Sequence, residues 1–173
     1  MLVVADSSPF IVLLKIGHVE ALPGLFGEVI IPPAVAQELA DARRPQIVRD
    51  FISALPPWLR ISKPSVVEAI PLLHIGECEA ISLAKELKAD LLLIDDSDGY
   101  SAAVARHIPA TRTTALLRDA ADRGLLNLRE AFDRLRRTNF RVSEAILQGL
   151  LVEHEDLRRK NPQSGVPDEP RSS

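Results

Sequence analysis

The sequence predicts an α/β fold built around a central, mostly parallel sheet, and three observations point to it. Short apolar runs alternate with longer stretches of helical periodicity, the pattern of βαβ crossovers. Those runs are apolar without polar alternation, as strands buried on both faces require. Hydrophobic residues make up 46% of the 173 residues but aromatics only 4%. The core must therefore come from Leu, Ile, Val and Ala, which suits helices packed on a parallel sheet.

The first run, Leu2 to Ala5, reads as a buried strand ending in Asp6. Ser7, Ser8 and Pro9 carry helix-start chemistry, hydroxyls for a cap and a proline suited to the first turn, and the helix stops at Gly17. Val29 to Ile31 is the second strand, ended by Pro32 and Pro33. Pro33 opens a helix that turns Val35, Ala36 and Leu39 inward and leaves Gln37, Glu38 and Asp41 on the polar side. A helix is expected from about Pro45 to Leu55, and a short extended piece at Trp58 to Ile61. The stretch to Ile75 is irregular and punctuated by proline.

From Glu77 to Lys88, Ala80, Leu83, Ala84 and Leu87 follow the i, i+3, i+4, i+7 spacing of a helix. Leu91 to Ile94 is the most strand-like run and ends in Asp95 and Asp96. A helix over Tyr100–His107, a weak strand over Ala110–Thr113 and a helix from Ala115 to Gly124 follow. Two late helices are expected, Leu128–Thr138 and Ser143–Arg158. The expected organisation is one domain over 1–158, its C-terminal helices included, with a tail over 159–173 of disordered composition.

Composition narrows the chemistry. The single cysteine, Cys78, excludes an internal disulfide and a cysteine-based zinc site, and fits a reducing cytoplasm. Nothing at the start resembles a secretory leader, and no apolar run approaches the ~20 residues of a membrane span. The net charge of −3 does not advertise a nucleic-acid partner, although a carboxylate-rich site would lower the charge by itself. His18, His74, His107 and His154 are scattered without metal-ligand spacing, so a histidine-based centre is not indicated.

Two of the clearest strands end in aspartate, Asp6 and Asp95. In open parallel α/β sheets ligands sit beyond the carboxyl ends of the strands, so parallel strands would bring both acids to one edge. Two carboxylates ~4 Å apart repel by ~4 kcal/mol at an effective dielectric of ~20. A proton, an arginine or a hard divalent cation must offset this, and oxygen ligands suit Mg²⁺ or Mn²⁺. Such ions acidify water and stabilise the leaving oxygen of a phosphodiester without any protein nucleophile.

Taken in order, VVADSSPFIVLLKIG, GEVIIPPAVAQEL, GECEAISLAKELKADLLLIDD and RRTNFRVSEAIL resemble the PIN-domain superfamily over roughly residues 2–150. The closer likeness is to its prokaryotic branch of toxin-like or uncharacterised nucleases. The resemblance implies a three-layer α/β/α sandwich and Mg²⁺- or Mn²⁺-dependent endoribonuclease activity. It also implies RNA as substrate, an antitoxin protein as partner where the chain is a toxin, and a homodimer. By position Asp6 matches the first acid of the motif, with Ser8 as polar companion. Glu38 matches the acid on the helix after the second strand, Glu79 the acid opening the central helix, and Asp95 the strand-end aspartate. Asp98 is a further metal ligand on this reading. Leu93 stands where many members carry a hydroxyl, and Glu79 where many carry aspartate.

Each of these residues has a plainer reading beside it. Asp6, Ser7 and Ser8 suit a helix cap, and Glu38 a solvated helix face. Glu79 sits where a capping-box glutamate would if Gly76 were the cap, and Glu77 points nearly opposite at ~100° per residue. Asp96 and Asp98 suit a turn with Gly99; they lack the downstream glutamate of a calcium loop. Arg134, Arg136, Arg137 and Arg141 could contact RNA or pair with Glu130 and Asp133. Two rival functions remain. A signalling receiver domain lacks its second early acid and its late lysine here. A binding module that kept the fold without catalysis is the stronger alternative.

Overall fold

The computed structural model describes residues 1–160. The chain forms two compact units, Met1–Thr113 and a second that starts at Thr114. The tail expected over 159–173 lies, from residue 161 onward, outside the described residues, while residues 159 and 160 complete the last helix.

The first unit holds a five-stranded sheet of β1 (Val3–Ala5), β2 (Val29–Ile31), β3 (Leu59–Ile61), β4 (Leu91–Leu93) and β5 (Ala110–Thr111), in the order β3-β2-β1-β4-β5. All four pairings are parallel, with Val4 in register with both Ile30 and Leu92. Every residue of β1 and β2 is fully buried. Because successive strand residues point to opposite faces, the middle of the sheet is covered on both, as the continuous apolar runs require. The fold is the expected α/β arrangement with additional C-terminal helices.

The crossovers are helical. α1 (Ser7–Ile16) follows β1 and ends as the sequence indicates, at Gly17 in the left-handed conformation, whose N–H bonds back to the last turn. A one-and-a-half-turn helix, α2 (Ala21–Phe26), comes next. It adds to the elements the sequence indicates, and Pro23 falls in its first turn, where a missing N–H costs nothing. α3 (Pro33–Ala40) and α4 (Gln46–Ser53) follow β2. α5 (Ile75–Leu87) is the central helix, with α6 (Ser97–Ala105) after β4 and α7 (Thr113–Asp122) after β5. Val4, Ile30, Ala80, Ile81, Ala84, Leu92 and Ile94 form the middle of the core between α5 and the sheet. A fully buried aliphatic side chain contributes ~1.5–3 kcal/mol. Phe10, Phe51 and Trp58 pack together beside it, with ring centroids 5.9–6.5 Å apart.

The second unit comprises the rest of α7, α8 (Leu128–Arg136) and α9 (Glu144–Lys160). Leu128, Ala131, Phe132 and Leu135 bury one stripe of α8. The arginines on its other face are paired, Arg134 with Glu130 at 2.6 Å, and Arg136 with Asp133 at 2.7 Å and Glu144 at 2.6 Å. The plainer reading of that cluster, a salt-bridged solvent face, describes these two residues. No described helix is long and apolar enough to cross a membrane.

Candidate functional site

The strand order fixes where a site can form. The chain winds outward from β1 through β2 to β3, then returns to the other side of β1 for β4 and β5. The winding reverses between β1 and β4, and the crevice beyond their carboxyl ends is the binding position of open α/β sheets. Asp6 begins this edge. Its N–H donates to the Leu93 carbonyl at 2.9 Å, tying the ends of β1 and β4 together.

The Asp6 carboxylate is 4% exposed and its two oxygens differ. Oδ2 caps α1, accepting from the Ser8 N–H at 3.4 Å and the Ser8 hydroxyl at 3.0 Å. Oδ1 is buried with no hydrogen-bond donor. Burial, together with the charges of Glu38 and Glu77, pushes Asp6 up to about 6, against the opposing hydrogen bonds of Ser7 and Ser8. Ser8 is therefore the companion the sequence suggests, acting through Asp6.

Glu38 enters from α3. Its Oε2 accepts from the Ser7 hydroxyl at 2.6 Å, which orients it toward the start of α1. Its carboxylate rests on Gly76, where an added Cβ would lie 2.3 Å from Oε1. A larger residue there would require the Glu38 carboxylate to move, and Gly76 is in the first turn of α5, so Glu38 meets the positive end of the central helix.

Glu77 is buried, 9% exposed. One of its oxygens accepts from the His74 N–H at 2.8 Å and so closes the start of α5. Burial raises its pKa, as do the charges of Asp96 and Glu38, against the His74 hydrogen bond. Asp96 itself caps α6 through the Gly99 N–H at 2.8 Å. Asp6, Glu38, Glu77 and Asp96 thus form one electrostatic neighbourhood.

Two of the expected acids are engaged elsewhere. Glu79 accepts from the Ala34 N–H at 2.9 Å and closes the first turn of α3, which has no side-chain cap of its own. Asp95 places one oxygen on the Thr113 N–H at 2.8 Å and the other on the Thr113 hydroxyl at 2.7 Å, closing the start of α7. Burial raises the Asp95 pKa, while Thr113 and the nearby Arg112 pull it down. Asp98 is exposed in the first turn of α6.

Glu77, beside the expected Glu79, also carries a signal in the sequence. Glu77 lies i−3, i−4 and i−7 from Ala80, Ile81 and Ala84, the stripe that α5 turns to the core.

A divalent cation can be tested against this donor set. The buried, donorless Oδ1 of Asp6 and the acidic company of Glu38 and Glu77 fit a hard cation. The fit rests on that oxygen, since among the described residues no three His, Cys, Asp or Glu side chains are gathered into a ready-made cage.

Comparisons with known proteins bear on the same residues. The sequence profile of the family DUF3368, described as a PIN domain, matches residues 2–156. Among solved structures, the chain is similar to a PilT N-terminus domain protein from the hyperthermophilic archaeon Sulfolobus solfataricus P2. The identity is 22% and the TM-score 0.54, covering 69% of this chain and 93% of that one, a likeness of fold. No curated protein gives a significant match. With nearly all of its described length matched, this chain belongs to the PIN domain family.

Proposed function

We propose that the protein is a divalent-metal-dependent endoribonuclease, with Asp6 at the centre of its site. One observation carries the reading: a carboxylate oxygen is buried at the switch point of the sheet without a donor. An unsatisfied buried acceptor costs ~1–3 kcal/mol, more when charged, and persists where function requires it. The nuclease-type fold of the family supports the same reading.

On this reading Asp6, Glu38, Glu77 and Asp96 would hold Mg²⁺ or Mn²⁺. Glu79 and Asp95 act as positioning residues that hold Ala34 at the start of α3 and Thr113 after β5. A bound cation supplies acidified water and offsets charge on the leaving oxygen of the phosphodiester. The chain's own part is preorganisation. Ser8 and the start of α1 fix one oxygen of Asp6 and leave the other aimed at the ligand. Ser7 and Gly76 set Glu38 in one orientation. Glu77, its pKa raised by burial and then by the charges of Asp96 and Glu38, closes the start of α5 beside them. The toxin role belongs to the same proposal and predicts a small antitoxin gene next to this one.

Asp6→Asn keeps a residue that caps helices equally well, so folding survives and Mn²⁺-dependent cleavage of pooled RNAs falls at least ~100-fold, a loss of ~2.7 kcal/mol in transition-state stabilisation. Cleavage undiminished in that variant would refute the assignment. Glu77→Gln should reduce cleavage more than Glu79→Gln does; the reverse order would return the metal to Glu79. The absence of a three-acid cage among the described residues favours a second reading, a non-catalytic binding module. That reading predicts no metal-dependent cleavage of any RNA by the wild type, with binding retained.

A further inference from the structure

Arg112 leaves β5 at the same edge of the sheet. Its Nη1 donates to the Asp95 carbonyl at 3.2 Å and its Nη2 to the Ser97 hydroxyl at 3.5 Å. The guanidinium carbon lies 4.8 Å from the centroid of the Tyr100 ring, which holds the plane by cation–π stacking. Its two hydrogen-bond partners are uncharged groups next to Asp96 in the chain.

Several arginines elsewhere are matched to carboxylates, while Arg44 and Arg49, like Arg112, donate to neutral groups, the Glu38 carbonyl and the Gln46 side chain. Arg106 is matched to Glu68, Arg118 to Asp119 and Glu153, and Arg136 to Asp133 and Glu144, each through a carboxylate at 2.5–2.8 Å. Arg112 forms no ion pair with a carboxylate among the described residues, and the Asp95 carboxylate, hydrogen-bonded to Thr113, interacts with it only through its charge. A guanidinium presents five N–H donors in a planar fork, so two long bonds to neutral oxygens leave three donors and the full charge available. If Arg112 were only a brace between β4 and β5, an amide or a carboxylate-matched arginine would serve as well. A polyanionic strand approaching an edge that bears Asp96 and Asp98 meets repulsion, and a cation held at that edge outside any ion pair offsets it.

Resting on the nuclease reading, we propose that Arg112 is a substrate-binding residue whose fork grips a phosphodiester of a single nucleic-acid strand beside the acidic crevice. The geometry matches bidentate arginine–phosphate pairing, which a lysine reproduces only as a point charge. A phosphate contact fixes register and carries no base preference.

The test is equilibrium binding of fluorescent single-stranded RNA and DNA oligonucleotides of one sequence, in EDTA, across a range of salt concentrations. Wild type is compared with Arg112→Gln, Arg112→Lys and Tyr100→Leu, with melting temperatures recorded alongside. Arg112→Gln should weaken binding about tenfold or more on both nucleic acids and lower the slope of log K against log salt by about one. Arg112→Lys keeps the slope and loses part of the affinity. Tyr100→Leu loosens the fork and weakens binding with the slope retained; it also stands in should Arg112→Gln fail to fold. Unchanged affinity and slope in Arg112→Gln, or a loss confined to RNA, overturns the assignment while wild-type cleavage keeps the nuclease reading. A wild type that neither binds nor cleaves overturns the nuclease reading, and this inference with it.

Discussion

The two oxygens of Asp6 keep different company, one capping α1 and the other facing no donor. The carboxyl titrates at about 6 in the folded chain against 3.8 for a free aspartate, and burial is the main cause. Below about pH 4 it is neutral in both states and folding is not penalised. Between about pH 4 and 6 the unfolded chain gives up this proton while the folded chain keeps it, so folding loses about 3 kcal/mol, a loss that levels off above 6. In EDTA, therefore, the stability of wild type relative to Asp6→Asn falls by about that amount between pH 4 and 7.5. Urea unfolding at each pH measures it, and a gap that stays level with pH would show that Asp6 bears no such penalty. Asp95 is a contrasting residue, with both oxygens satisfied by the buried Thr113. Asp95→Ala leaves that N–H and hydroxyl without an acceptor and should destabilise the fold by ~1–3 kcal/mol for each group left unsatisfied.

At the scale of elements, each of these acids closes a helix start: Asp6 for α1, Glu79 for α3, Glu77 for α5, Asp96 for α6 and Asp95 for α7. Parallel strands deliver the following helices to one edge, so helix N-termini and acids meet there by topology, and the partial positive ends temper the acids. Gly76→Ala tests the tightest meeting point. The new methyl would strike the Glu38 carboxylate, costing ~1–3 kcal/mol and displacing Glu38. Glu38→Ala in the same chain should restore most of that loss, so the double variant is more stable than the sum of the singles. Additive losses in thermal melts would place the strain elsewhere. β1, β2 and β4 were legible because burial on both faces leaves uninterrupted apolar runs, and Gly17 and Pro33 stop and start helices by backbone geometry alone. α6 begins three residues before the expected Tyr100 because Asp96 caps the Gly99 N–H, turning an apparent loop into a first turn. The acid-rich edge was legible; that Glu77 adds its charge to that of Asp6 was not, since which face of a helix start is buried is decided by packing.

For the whole molecule, the acidic neighbourhood links stability to ligand. A cation that binds only the folded chain stabilises it by about 2.7 kcal/mol at a concentration one hundred times its dissociation constant. Mn²⁺ should accordingly raise the melting temperature of wild type, EDTA should reverse the rise, and Asp6→Asn should show neither; an equal rise in both proteins would place the cation away from this edge. The doubling of each acid as a helix closure reaches further. A descendant that had abandoned its chemistry would still be held to its aspartates and glutamates, because the scaffold leans on them. Kinship in this acid pattern tracks architecture, and silenced copies are to be sought in the quieter neighbours that aim the acids, Ser7, Ser8 and Gly76.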